Sequence, residues 1–414
     1  MAVGETEKTT YTIPVGPVHP ALKEPIQLML EVDGERVVNT DILVGQVHRS
    51  IEWLGMNRNN PVQTLYLAER ICGICNICHP FCLAIGVEQA ANIPVPERAE
   101  YIRVIAAEME RIHSHILWAG VAAHEIGFDT VFYLTWRVRE EIMDLIEYIF
   151  GNRVTKGVLQ YGGVRRDITA EQLPRIRKSL DYYKSIYEHL RRILLEDKTV
   201  KMRTRNVGVL STEDALKLLT VGPTGRASGV PKDVRQDQPY SAYADLDVEA
   251  ITPDMVTGTV VGDVYDRIIV RLLEIKQSVE IIEECLERMP AGPIMSETKM
   301  PRLLRLLTDA AGEGIGRVEA PRGEDIHYVR LEAGSETLGT WKVRAPTYVN
   351  LLAVPAILQD MQIADVPIAF ASIDPCQSCT NRVVVTDRAT GRKSILDYQE
   401  LHRLSVEKTR DLQR

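Results

Sequence analysis

Two Cys-x-x-Cys pairs, one near each end, constrain this chain more than any other feature. Arg70-Ile71-Cys72-Gly73-Ile74-Cys75 stands early and Asp374-Pro375-Cys376-Gln377-Ser378-Cys379 late, with 300 residues between Cys75 and Cys376. A tight turn points both sulfurs of a pair the same way; Gly73 relieves crowding in the first turn and Pro375 stiffens entry to the second. Four thiolates suit a soft or borderline transition metal. The expectation is that both turns meet around one redox-active ion, so the fold must bring its two ends together.

The residues alone leave rivals open. Zinc ribbons separate their pairs by only about 15–20 residues. Cys72, Cys75, Cys78 and Cys82 fit the iron–sulfur run C-x2-C-x2-C-x3-C, although Leu83 follows where that run has proline and no second copy exists. Inert core thiols suit Cys285 and extend to Cys78 and Cys82, but explain two matched pairs poorly. Glu110-x-x-His113 and Glu324-x-x-His327 share the spacing of di-iron bundles. The first pair lies on a helix and shares a face, whereas the second alternates like a strand and splits across faces. Glu110 and His113 therefore read as a helix-surface pair or a satisfied core contact.

Composition excludes other classes. With 57 acidic against 49 basic residues and a net charge of −8, no basic field calls for nucleic acid. The first residues have no apolar core to serve as a signal peptide, and the apolar run Val366 to Ile373 is far too short to span a bilayer. Reduced cytoplasmic thiols and attachment to a membrane only through partners are the expectation.

Strands are predicted from Tyr11 to Trp53, with Asp33-Gly34 as the hairpin signal. Helices follow from Pro96 as a first helical residue, then at about 129–150, 171–195 and 262–289. Val221 to Thr259 reads as a long surface excursion. Gly316 to Leu331 and Thr337 to Val343 return to strand alternation around Gly334, and Ser394 to Gln413 reads as a last helix. The fold class is mainly α (α+β): one domain over 1–414, a central helical bundle, and small antiparallel β elements near the N-terminus (11–54) and in the C-terminal third.

The motifs Arg70-x-Cys72-Gly-x-Cys75-x-x-x-His79 and Asp374-Pro-Cys376-x-x-Cys379 resemble the two signatures of nickel–iron hydrogenase large subunits. GPVHPALKEP (16–25), PERAEYIRVI (96–105), ERIHSH (110–115), GDVYDR (262–267), EAPRGEDIHY (319–328) and RAPTYVNL (344–351) narrow the likeness. They resemble the membrane-bound, energy-converting hydrogenases, relatives of the quinone-site subunit of respiratory complex I. The resemblance covers about Ile13 to Arg382.

That resemblance implies that Cys72, Cys75, Cys376 and Cys379 bind nickel, with Cys75 and Cys379 bridging to an iron that carries carbonyl and cyanide. It implies interconversion of H2 with protons and electrons, iron–sulfur clusters in a small partner subunit, and further complex I-like soluble and membrane partners coupled to ion movement. The complex would lie on the cytoplasmic face of the membrane. Glu24 is expected as proton relay beside the first cysteines, Arg322 as the guanidinium over the metals, and His79 as a donor to a thiolate. Asp374 would position Arg322, and Ser372 would meet a cyanide. His48-Arg49 resembles a loop of the quinone cavity and is read here as interface or proton-path material. Thr380-Asn381-Arg382 matches a maturation cleavage site, which makes 383–414 a removable extension. The alternative is a nickel-free electron-transfer or quinone- or sulfur-reducing module.

Overall fold

The computed structural model describes residues 10–380, 385–387, 389–394 and 398–413. Strands β1 (Tyr11–Val15), β2 (Gln27–Asp33) and β3 (Arg36–Leu43) form an antiparallel sheet. Asp33 pairs with Arg36 across a two-residue turn whose Gly34 has φ 61°, as Asp-Gly predicts. Leu28, Leu30 and Val32 alternate inward from β2.

The strand prediction runs too far: β3 ends at Leu43, and helix α1 (Ile51–Asn57) takes over. Ile51 and Gly55 are its buried residues, a spacing of four that fits one helical face. Helices α2 (Pro61–Ala68) and α3 (Cys78–Ala91) flank the first cysteine turn. The bundle follows as α4 (Glu97–Glu125), α5 (Asp129–Phe150), α6 (Leu173–Glu196) and α7 (Val264–Arg288). Pro96 caps α4 from outside rather than opening it. α4 packs against both α5 and α7 and is buried almost all round, which marks it as the central rod.

The predicted surface excursion at 221–259 is interior in its first part, buried over 221–228 and 233–235, and stays exposed at 236–239 and 254–259. Its short helices Gly222–Ala227 and Val234–Asp237 bury Arg226, Asp233 and Arg235 completely. Arg226 meets Glu274 at 2.7 Å and Glu319 at 2.8 Å, and Arg235 meets Asp233 at 2.7 Å and Glu108 at 3.1 Å. The charges that signalled solvent in the sequence neutralise one another inside.

A second antiparallel sheet comprises β4 (Gly312–Ala320), β5 (Gly323–Leu331) and β6 (Thr340–Arg344). Its first hairpin turns at Pro321-Arg322, a turn the predicted continuous strand lacked. Helix α3 lies directly on β4 because glycine recurs at every second position. A Cβ on Gly316 would stand 1.7 Å from the Cys82 carbonyl oxygen, and one on Gly314 1.9 Å from that of Gly86. Only bare backbone permits this approach.

Helix α8 (Val366–Ala371) packs on α4 and leads into the second cysteine turn, and α9 (Tyr398–Leu412) matches the predicted last helix. Asn381 and Arg382 of the cleavage motif lie outside the described residues. No helix among the described residues is long and apolar enough to cross a membrane.

Candidate metal centre

The two cysteine turns meet. Cys376 Sγ lies 3.0 Å from both Cys72 Sγ and Cys379 Sγ, and all four motif cysteines are buried. Cys72 Sγ accepts the amides of Ile74 and Cys75 at 3.3 Å each, which shapes the first turn around its sulfur. In the second turn the amide of Cys376 donates to Thr347 Oγ1 at 3.1 Å. Arg49 joins the turns from a third segment, donating to the carbonyls of Arg70 (2.7 Å), Ile71 (2.6 Å) and Ser378 (3.0 Å).

Arg322 projects from the β4–β5 turn into this cluster. Its Nη1 donates to Cys75 Sγ and Ser114 Oγ, each at 3.2 Å, while Nη2 and Nε hold Asp374 Oδ1 and carbonyl O at 2.7 and 2.8 Å. Asp374 adopts φ 54°, which Asp tolerates better than most residues. The structure thus brings Arg322 and Asp374 together beside the thiols.

His79, in the first turn of α3, turns Nε2 to Cys379 Sγ at 3.3 Å. Glu24 lies beside the second turn, accepting from the Ser378 amide (3.0 Å) and hydroxyl (2.7 Å). The sequence reading put it beside the first. Ser372 Oγ donates to Ala369 O at 2.6 Å and accepts from Arg267 at 2.9 Å.

The donor set suits a cation. Cys72 is held well below the usual thiol range, first by donation from Cys376, then from Cys379 and Cys75. Cys379 is pushed up, first by its bond to Cys376. The protein by itself therefore favours one thiolate among the set, and bringing all four to thiolate requires positive charge beyond that of Arg322. Cys78 and Cys82 are buried in α3, where burial pushes both thiols up, and neither has a sulfur hydrogen-bonded to the four-thiol cluster among the described residues. Cys82 Sγ donates to Asp325 O.

Of the two readings of Glu110, the satisfied core contact holds and the surface pair does not. It accepts the amides of Ile77 (2.5 Å) and Cys78 (3.0 Å) at the start of α3, and buried Lys156 stands 3.4 Å away. Glu324 pairs with Arg344 while His327 lies on the opposite side of β5, so the two Glu-x-x-His segments build no joint site.

A cavity of about 320 Å³ reaches the thiols, lined by Glu24, Trp118, Trp136, Phe370, Arg322 and Cys376 among others.

The chain matches two family models: the 49 kDa subunit of respiratory-chain NADH dehydrogenase over residues 125–382, and nickel-dependent hydrogenase over residues 49–119. It is 45% identical over 404 residues to the membrane-bound hydrogenase subunit alpha of Pyrococcus furiosus, covering 97% of this chain and 93% of that one. The chain belongs to the large subunits of membrane-bound, energy-converting hydrogenases. Identity to the carbon monoxide-induced hydrogenase of Rhodospirillum rubrum is 38%, over 90% of this chain and all of the relative. A chain from the solved archaeal membrane-bound sulfane sulfur reductase superposes with TM-score 0.84 at 30% identity, over 92% of this chain and all of that one. This hydrogenase subunit therefore shares its scaffold with complex I-type and sulfur-reducing assemblies, and its relatives are subunits of multi-subunit membrane complexes.

Several residues beside the site escaped the sequence reading. Arg49 was singled out, but not as the link between the turns. Lys156, Asp325 and the inward side of His327 were missed, because a single charged residue in a strand or loop gives no sign of its distant partners. For Asp325 and His327 the i, i+2 spacing on one strand face was the available signal.

Proposed function

We propose that this subunit interconverts H2 with two protons and two electrons at a nickel–iron centre held by Cys72, Cys75, Cys376 and Cys379. The observation that carries this reading is the meeting of the two thiol turns in one buried cluster. Such a centre would supply Lewis-acid and redox chemistry, and Cys75 and Cys379 would be the thiols that also hold an iron carrying carbonyl and cyanide.

This chain's own groups do the rest. Arg322 fixes a permanent positive charge beside Cys75, aimed by Asp374. Trp118, Trp136 and Phe370 give the cavity that leads to Cys376 apolar walls. Glu24 moves protons between the second turn and the surface through its carboxylate oxygens. Ser372 is the hydroxyl that would meet a cyanide after turning its proton from Ala369. Electrons leave through iron–sulfur clusters of a small partner subunit, and the assembly couples their flow to ion movement on the cytoplasmic face. The chain is one domain, and the segment after Arg382 is a removable extension.

Elemental analysis of the purified complex tests the reading. Nickel near one per complex, with iron beyond that of the clusters, supports it. Active, mature protein without nickel sinks it, in favour of the nickel-free module that the likeness to the sulfane sulfur reductase chain keeps in view.

A further inference from the structure

Behind the thiols runs a second, fully buried polar chain that the proposed reaction does not use. His79 Nδ1 lies 2.8 Å from Asp325 Oδ2 and 3.3 Å from His327 Nε2, and His327 Nε2 lies 3.5 Å from the same carboxylate oxygen. The indole N–H of Trp341 donates to His327 Nδ1 at 3.2 Å. All four side chains are buried, and neither Asp325 oxygen has a well-formed hydrogen bond among the described residues, the two rings standing against Oδ2 at ion-pair distance.

The three ligand-type atoms cluster tightly enough to suggest a second metal ion. Trp341 argues against it. A ring nitrogen that accepts an indole proton has its lone pair engaged, so the proton of neutral His327 sits on Nε2 and closes that atom to a metal. The arrangement is instead one carboxylate oxygen faced by two ring nitrogens.

We propose that Asp325 is a positioning residue for the thiol cluster: it sets the plane of His79, whose Nε2 then meets Cys379 Sγ, while His327, locked by Trp341, holds the carboxylate in register. A partner behind a ligand's hydrogen-bond donor fixes its orientation and tunes the metal. The local fold supports this role. Asp325 and His327 point from one face of β5 toward α3, and the bare glycines of β4 bring α3 close enough for His79 to reach both.

The inference rests on the reading of Cys379 as a metal ligand, and the test separates the two. Asp325→Ala, in the assembled complex, should keep nickel and move the midpoint potential of the nickel signal by about tenfold in the redox equilibrium, about 59 mV for one electron. Asp325→Asn keeps an acceptor oxygen and should recover most of that shift. Trp341→Phe keeps the ring volume but removes the lock, and should give a smaller shift. A wild-type potential in Asp325→Ala overturns the proposal, as does Asp325→Asn displaced as far as Asp325→Ala. If Asp325→Ala assembles without nickel, Trp341→Phe decides, and a wild-type potential there overturns it. If the wild-type complex holds no nickel, the ligand reading falls. The positioning role is then decided by a density map of Asp325→Ala, where an unmoved His79 ring refutes it.

Discussion

Asp374→Asn isolates one charge at the centre without disturbing the backbone. Asn accepts the left-handed conformation at φ 54° about as readily as Asp, whereas Ala there would add strain of about 1–2 kcal/mol. The variant keeps Oδ1 as an acceptor for Arg322 Nη2 at 2.7 Å, and the Nε bond to the main-chain carbonyl is untouched. What it loses is the charge. A hydrogen bond to a charged group contributes about 1.5–3 kcal/mol against about 0.5–1.5 for a neutral one. Removing one partner of a buried pair costs about 3–5 kcal/mol. Here the Cys75 sulfur at 3.2 Å stays beside the guanidinium and softens that loss. The net is about 2–4 kcal/mol, which at about 1.4 kcal/mol per decade is roughly a 30- to 1000-fold fall in turnover. The assay is H/D exchange by the purified complex, with nickel measured on the same sample. Turnover within twofold of wild type at full nickel content would refute the idea that Asp374 aims Arg322.

Cys379→Ser should abolish hydrogen evolution together with nickel binding, and a nickel-replete variant would contradict the ligand assignment. Glu24→Gln should leave nickel in place and slow H/D exchange by about 10²- to 10⁴-fold, the usual worth of a positioned proton carrier; an unchanged rate refutes the relay. Glu69, buried beside Arg70, has its carboxyl raised to about 7, first by burial. Its contribution to stability is therefore present in acid and is lost as pH climbs from about 4.5 through 7, by on the order of 3 kcal/mol at most. Glu69→Gln should narrow the gap in thermal midpoint between about pH 5 and pH 8, and an unaltered gap would show that Glu69 does not titrate as a buried acid.

The helical bundle was legible because long helices repeat their apolar positions many times, and α5, α6 and α7 lie within a few residues of prediction. The meeting of the cysteine turns was legible for a different reason: ligand chemistry demands it whatever the intervening chain does. What stayed hidden depends on pairing across the sequence. Arg226, Asp233 and Arg235 look like solvent markers until Glu108, Glu274 and Glu319 arrive from other elements. Glu110 looked like one member of a helical pair, but its carboxylate reaches back to cap α3 from a residue 33 positions away. The Arg322 turn was masked because β4 and β5 run together as one alternating stretch, and the break falls on Pro321 only once Ala320 pairs with Gly323.

Arg49 gives the centre a seam. Its three carbonyl partners belong to segments far apart in sequence, and the guanidinium stands at the surface, where water competes for the bonds to Arg70 and Ser378. Parting the late cysteine turn from the early one would break these bonds at the edge together with the buried contacts of Arg322 to Asp374 and of His79 to Cys379. The exposed clasp and the buried ones behind it thus close the centre jointly, and neither alone holds it shut.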